Sequence, residues 1–129
     1  MIKKKACGCR SNLKLIYACS GAADVGAIVD LAARKLSSDG VGKMSCAVGI
    51  GGNVDYVIDA AKSAAAILAI DGCDLDCTRK ALESAGFTSI RHLRITDLGM
   101  EKGNSPVTDE NIGKVVEKGT SILSEGVCK

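Results

Sequence analysis

Seven cysteines stand among 129 residues, and four of them, Cys19, Cys46, Cys73 and Cys77, fall where hydrophobic runs give way to glycine-rich or acidic turns. In an open α/β sheet the strand ends converge on one edge, so cysteines far apart in sequence can meet there in space. Thiolates gathered in this way can hold a metal ion, cycle through a disulfide, take a soft metalloid, or seat an iron–sulfur cluster. Zinc accepts four thiolates in a tetrahedron at about 2.3 Å, and an all-cysteine shell leaves no coordination position open, which is the usual arrangement of a structural site. Only Cys73-x-x-x-Cys77 is local in this chain. A zinc ribbon would instead carry two Cys-x-x-Cys knuckles, so the spacing speaks against a zinc that merely holds the fold. Four thiolates on one dication also leave a net negative site. Amides of glycine-rich turns, helix N-termini and Arg79 can offset that charge, whereas Asp71, Asp74 and Asp76 worsen it unless they point away or become ligands themselves.

The remaining chemical signals are weaker. A lone buried cysteine is ordinarily a small hydrophobe, and four at strand-end turns are harder to explain that way. Cys73-x5-Arg79 has the outline of a cysteine-dependent phosphatase loop, but Asp74 and Asp76 inside it would repel a phosphate. Gly21-x4-Gly26 begins like a phosphate-binding loop, yet Ala27-Ile28 stands where Lys and Ser or Thr are needed. Gly49-x-Gly51-Gly52 is an incomplete dinucleotide fingerprint and reads as room for backbone near Cys46. His92 falls inside a strand and reads as a surface or core histidine rather than a ligand. No catalytic motif rises above background; were the chain an enzyme, it would be a thiol-dependent oxidoreductase.

The elements that must carry these cysteines follow from hydrophobic pattern. Leu13 to Ala18 is a buried strand ending at Cys19-Ser20-Gly21, and apolar residues at helical spacing from Ala22 to Leu36 make the helix after it. Val41 to Val48 reads as a second strand with Cys46 near its far end. A helix from Val54 to Ala64 follows, with Asn53 as its cap. Ala65 to Ile70 is the clearest buried strand and runs straight into Asp71-Gly72-Cys73-Asp74-Leu75-Asp76-Cys77. Thr78 to Ala85 is then a helix closed by Gly86, Thr88 to Ile95 a fourth strand, and Asp97 to Ser105 a polar loop. Thr108 to Asn111 caps a last helix reaching about Leu123. Four alternations of strand and helix predict an α/β domain, a mostly parallel open sheet of four or more strands with helices on both faces, flavodoxin-like or Rossmann-like. Right-handed crossovers would then bring every strand's C-terminal end to one edge.

Composition bounds the partners. A chain of 129 residues at 47% hydrophobic makes about one domain with an aliphatic core, since Trp is absent and aromatic residues are 2%. Residues 1–11, with Cys7-x-Cys9 and three lysines, read as a tail, and residues 12–129 as the single metal-binding domain. Cys128 reads as a plain exposed thiol. With 17 Lys and Arg against 15 Asp and Glu, there is no strong field for nucleic acid or anionic lipid. The expected partner is a metal ion, with neither nucleic acid nor membrane. The absence of a long apolar run or signal segment places the chain in the cytoplasm, where reducing conditions disfavour structural disulfides.

The segments Cys19-Ser20-Gly21, Ser45-Cys46-Ala47-Val48-Gly49-Ile50-Gly51-Gly52 and Ile70-Asp71-Gly72-Cys73-Asp74-Leu75-Asp76-Cys77 resemble the DGC-domain family, and the likeness extends from about Leu13 to Leu123. The resemblance implies zinc bound by four cysteine ligands, which at matching positions are Cys19, Cys46, Cys73 and Cys77, and it implies no particular activity. It gives no role to Cys7, Cys9 or Cys128. The expected function is therefore metal binding, with zinc first and an iron–sulfur cluster second, at the C-terminal edge of the sheet. Thiol redox or metalloid handling by the same cysteines is the alternative.

Overall fold

The structure, a computed structural model, describes residues 12–124. Its elements run β1 (Lys14–Ala18), α1 (Asp24–Ser38), β2 (Lys43–Met44), α2 (Ala47–Gly51), α3 (Asp55–Ser63), β3 (Ala66–Asp71), α4 (Cys77–Ser84), β4 (Arg91–Arg94) and α5 (Asp109–Ser124), with a single 3-10 turn at Ile95–Leu98 after β4. The four strands form one sheet in the order β2-β1-β3-β4, and every neighbouring pair is parallel. This is the strand order at the start of a flavodoxin-like sheet, in which the chain changes direction of travel between β1 and β3.

Burial on both faces explains the composition of the central strands. All six residues of β3 are buried, and it pairs with β1 from Lys14↔Ala66 to Ala18↔Ile70. A strand covered on both sides is apolar throughout rather than alternating. Successive side chains still point to opposite faces and divide the interior in two. Ile16, Ala18, Leu68 and Ile70 pack with α1 and α5 on one side. Leu15, Tyr17, Ile67 and Ala69 meet Ile50 of α2, Ile58 and Ala61 of α3 and Leu82 of α4 on the other. The expected α/β sheet with helices on both faces is the one observed.

Two local expectations are corrected. The second strand is confined to Lys43–Met44, and the run after it turns helical from Ala47. β2 is an edge strand with only Leu15↔Lys43 and Ile16↔Met44 in register, so little holds the following residues extended. The Cys46 sulfur accepts the Gly49 N–H at 3.3 Å and caps the helix instead. Asn53 does not cap α3. It adopts a left-handed conformation with φ 57°, and Val54 occupies the cap position without a side-chain bond. The last helix starts as read, with Thr108 Oγ1 accepting the Asn111 N–H at 3.2 Å.

Candidate thiol site at the sheet edge

The turn after β1 and the turn after β3 lie side by side at the C-terminal edge of the sheet. Cys19 continues the β1–β3 ladder through its N–H, which donates to the Ile70 carbonyl at 3.1 Å. Its sulfur accepts the Gly72 N–H at 3.3 Å. Gly72 is required there, because a Cβ at that position would lie 3.0 Å from Val25 Cγ2 and 3.1 Å from the Val25 carbonyl oxygen. Gly26 plays the matching part under the first turn, where a Cβ would stand 2.5 Å from the Gly21 carbonyl oxygen. The glycines that resembled a phosphate-binding loop are thus packing contacts. Gly49 likewise makes room for Val57 of α3, 2.6 Å from where its Cβ would be, while its N–H serves Cys46.

A cleft of about 760 Å³ opens at this switch point. Cys19, Cys73 and Cys77 line it together with Gly21, Gly72 and Val25, and Lys102 stands at its margin. Cys46 lines an adjoining cleft of about 660 Å³ that shares Ala18, Ser20, Ala47 and Val48 with the first. Cys19 and Cys73 are half-buried, whereas Cys46 and Cys77 are exposed, and all four are free thiols. Their side chains are not drawn into a tight knot: among the described residues, no three of these sulfurs lie within 4.8 Å of one another. A tetrahedral zinc would hold its sulfurs about 3.8 Å apart, so loading requires the turns or rotamers to close. Burial pushes the Cys19 thiol above its ordinary pKa, with the Gly72 N–H opposing.

Asp71 and Asp76 of the 71–77 turn are not part of the cleft lining. Asp71 Oδ1 accepts the Thr78 N–H at 2.8 Å, and its Oδ2 accepts the Arg79 N–H at 3.1 Å and lies 2.9 Å from His92 Nε2. It therefore caps α4 from outside the helix, satisfying two of the amide donors that a helix start leaves open. Asp76, 3% exposed, takes a left-handed conformation with φ 53° and ψ 43° at the residue before Cys77. For a residue with a Cβ this costs about 1–2 kcal/mol. Its carboxylate receives both arms of the Arg94 guanidinium, with Arg79 Nη2 at 3.1 Å and His92 Nε2 at 3.6 Å. Arg94 holds the Asp76 carboxyl below the usual carboxylate range.

Asp71, Asp76 and His92 bring their ligand atoms within 4.8 Å of one another, and amides and guanidinium groups already engage the two carboxylates. Both Asp71 oxygens accept amide hydrogens, and Arg79 and Arg94 supply positive charge to Asp76. The expectation that Arg79 offsets the charge of a thiolate site is also corrected, because its guanidinium faces Asp76 and Glu83. The cation that does approach the thiols is Lys102, with Nζ 3.9 Å from Cys73 Sγ. Its loop is tied down by Asp24 at the start of α1, whose carboxylate accepts the Gly103 N–H at 2.9 Å and the Ser105 N–H at 3.0 Å. Those bonds hold the Asp24 carboxyl below its ordinary pKa.

Sequence reasoning missed Arg94, Lys102 and Asp24. For Arg94 a signal existed: an acidic turn after β3 needs cations, and Arg91-His92-Leu93-Arg94 supplies them from the neighbouring strand. Lys102 and Asp24 gave none. His92 lies beside both carboxylates of the turn, with Nε2 2.9 Å from Asp71 and 3.6 Å from Asp76. Cys7, Cys9 and Cys128 lie outside the described residues. No helix among the described residues is long and apolar enough to cross a membrane.

The family model described as the DGC domain matches residues 15–119. The anaerobic and virulence modulator AnvM of Pseudomonas aeruginosa is 36% identical over 90 residues, which are 70% of this chain and 69% of that protein. No solved structure matches.

Proposed function

The chain belongs to the DGC domain family, and from that premise we propose that it binds a soft metal ion, zinc first, through the thiolates of Cys19, Cys46, Cys73 and Cys77. The observation that carries this reading is the arrangement of three sequence-distant turns, after β1, β2 and β3, at one sheet edge, each presenting a thiol to two adjoining clefts. Chance burial of small hydrophobes does not account for it, since Cys46 and Cys77 are exposed. The donor set fits the ion. Cysteine sulfur suits zinc, backbone amides of Gly72 and Gly49 already donate to two of the sulfurs, and Lys102 brings positive charge to a third. Asp71 and Asp76 are engaged by amides and guanidinium groups, which lessens the repulsion their position in sequence threatened, although burial and, behind it, the Asp71 charge still raise the Cys19 pKa.

A bound dication would supply the positive charge that makes thiolates stable at neutral pH. The protein's own residues do the rest: β1 and β3 fix Cys19 beside the 71–77 turn, and the short helix α2 carries Cys46 on a separate element.

Metal content per chain, measured with an absorption spectrum on protein purified without oxygen, tests the reading. About one zinc with no visible bands is the expected result, and Cys73→Ser should lose metal while Cys128→Ser keeps it. Equal retention by the two variants would sink the proposal. Iron with sulfide and broad visible absorption would move the same cysteines to a cluster.

Reversible thiol oxidation is the second reading, favoured by the three thiols that share one cleft with Lys102. It predicts metal-free protein with cysteines that oxidise and reduce reversibly. A role in modulation, as the relative's name describes for that protein, is compatible with either reading.

A further inference from the structure

The Cys73–Cys77 turn hinges on one residue. The Asp76 N–H donates back to the Cys73 carbonyl at 3.2 Å, closing a turn, and its own carbonyl accepts the Lys80 N–H at 2.9 Å, starting α4. Between those bonds the backbone passes through φ 53°. That left-handed step sets the direction in which Cys77 leaves the turn and so its relation to Cys73. Asp enters this region more readily than most residues with a Cβ, because its short side chain can hydrogen-bond locally, yet the step still carries a cost. The Asp76 side chain, 4% exposed, is gripped by the Arg94 guanidinium from β4 through two of its nitrogens, with Arg79 Nη2 at 3.1 Å and His92 Nε2 at 3.6 Å beside it.

We propose that Arg94 is a positioning residue for the thiol site: by clamping Asp76 in its left-handed conformation it sets the spacing of Cys73 and Cys77 for metal binding. The inference rests on the metal-binding reading and deepens it. Arg94 reaches the turn from β4, the strand paired beside β3 with Asp71↔Arg94 in register, so the clamp is anchored in the sheet rather than in the turn itself. His92, two residues earlier on the same strand, lies 2.9 Å from Asp71 at the other end of the turn. The strand thus grips the turn at both ends. Arg94 does not line the cleft; besides Asp76 it pairs with Asp97, at 3.7 Å, and of the two only Asp76 lies in the turn that carries Cys73 and Cys77.

Glycine distinguishes this from general loss of stability, because it adopts positive φ without a side-chain penalty. In a background of Asp76→Gly the clamp is no longer needed to hold the backbone. The experiment measures cobalt and zinc affinity and the cobalt–thiolate charge-transfer bands in wild type, Arg94→Met, Asp76→Gly, Asp76→Ala and Arg94→Met/Asp76→Gly, with thermal unfolding of each. Arg94→Met and Asp76→Ala are expected to lose affinity about 10–100-fold with altered bands. Asp76→Gly and the double variant are expected to bind alike and close to wild type, even where the double variant melts lower. If Arg94→Met fails to fold, the comparison of Asp76→Gly with Asp76→Ala and with the double variant decides. Unchanged affinity in Arg94→Met, equal losses in Asp76→Gly and Asp76→Ala, or a further loss on adding Arg94→Met to Asp76→Gly would each overturn the inference and leave the thiolate site standing. A wild-type protein that binds neither ion would bring down the thiolate reading and this inference with it.

Discussion

Asp71, Asp76, His92 and Arg94 show how an acidic turn comes to sit beside a group of cysteine thiols. A carboxylate pointing into the cleft would raise the cost of every thiolate there; pointing outward, it caps a helix and pairs with arginine. The linkage to pH follows from Asp76. Its folded-state pKa lies below the ordinary value of about 3.9, so the unfolded chain takes up the proton first as pH falls. Its contribution to stability is complete above about pH 4 and is lost as pH drops through the folded pKa. Melting temperature measured from pH 7 to pH 3 should therefore fall more steeply in wild type than in Asp76→Asn, which lacks the titrating carboxyl. Parallel curves would show that the pair contributes nothing.

At the scale of elements, the site is positioned by close backbone approaches that only glycine permits. Gly26 in α1 packs on the Gly21 carbonyl oxygen and so fixes the turn that carries Cys19. A methyl group there must push backbone rather than a flexible side chain, and Gly26→Ala is expected to destabilise by about 1–3 kcal/mol in chemical denaturation. Gly113, on α5, has nothing within 4 Å of a Cβ. There the helix gains from losing a glycine, and Gly113→Ala should stabilise by roughly 0.5–1 kcal/mol. Opposite signs for two glycine-to-alanine changes in helices of one protein separate packing from propensity. The same approaches account for what was misread: the Gly49–Gly52 stretch looks like a loop after a strand, but a short helix forms there because Cys46 caps it and Gly49 lets it lie on α3.

The whole molecule is a parallel sheet with a core on each face, and the sheet links the two. Leu68 belongs to the core under α1 and α5, and Leu82 to the core under α2, α3 and α4. Each leucine-to-alanine change should cost about 2–5 kcal/mol. Because the two side chains belong to different cores, their costs should add within about 0.5 kcal/mol in the double variant if the domain unfolds as one unit. Separate transitions for the two faces would contradict that. Sequence alone determined the number and order of most elements, since runs such as Ala65 to Ile70 are too apolar to lie anywhere but between two layers. It also placed the four cysteines at strand ends, and strand ends of parallel neighbours share an edge. Tertiary structure decided which charges meet which thiols. Arg79 is close to Cys77 in sequence yet faces Asp76, whereas Lys102 is distant and reaches Cys73. Side-chain direction depends on the local left-handed step at Asp76 and on the register of β4 against β3, and a hydrophobic pattern records neither.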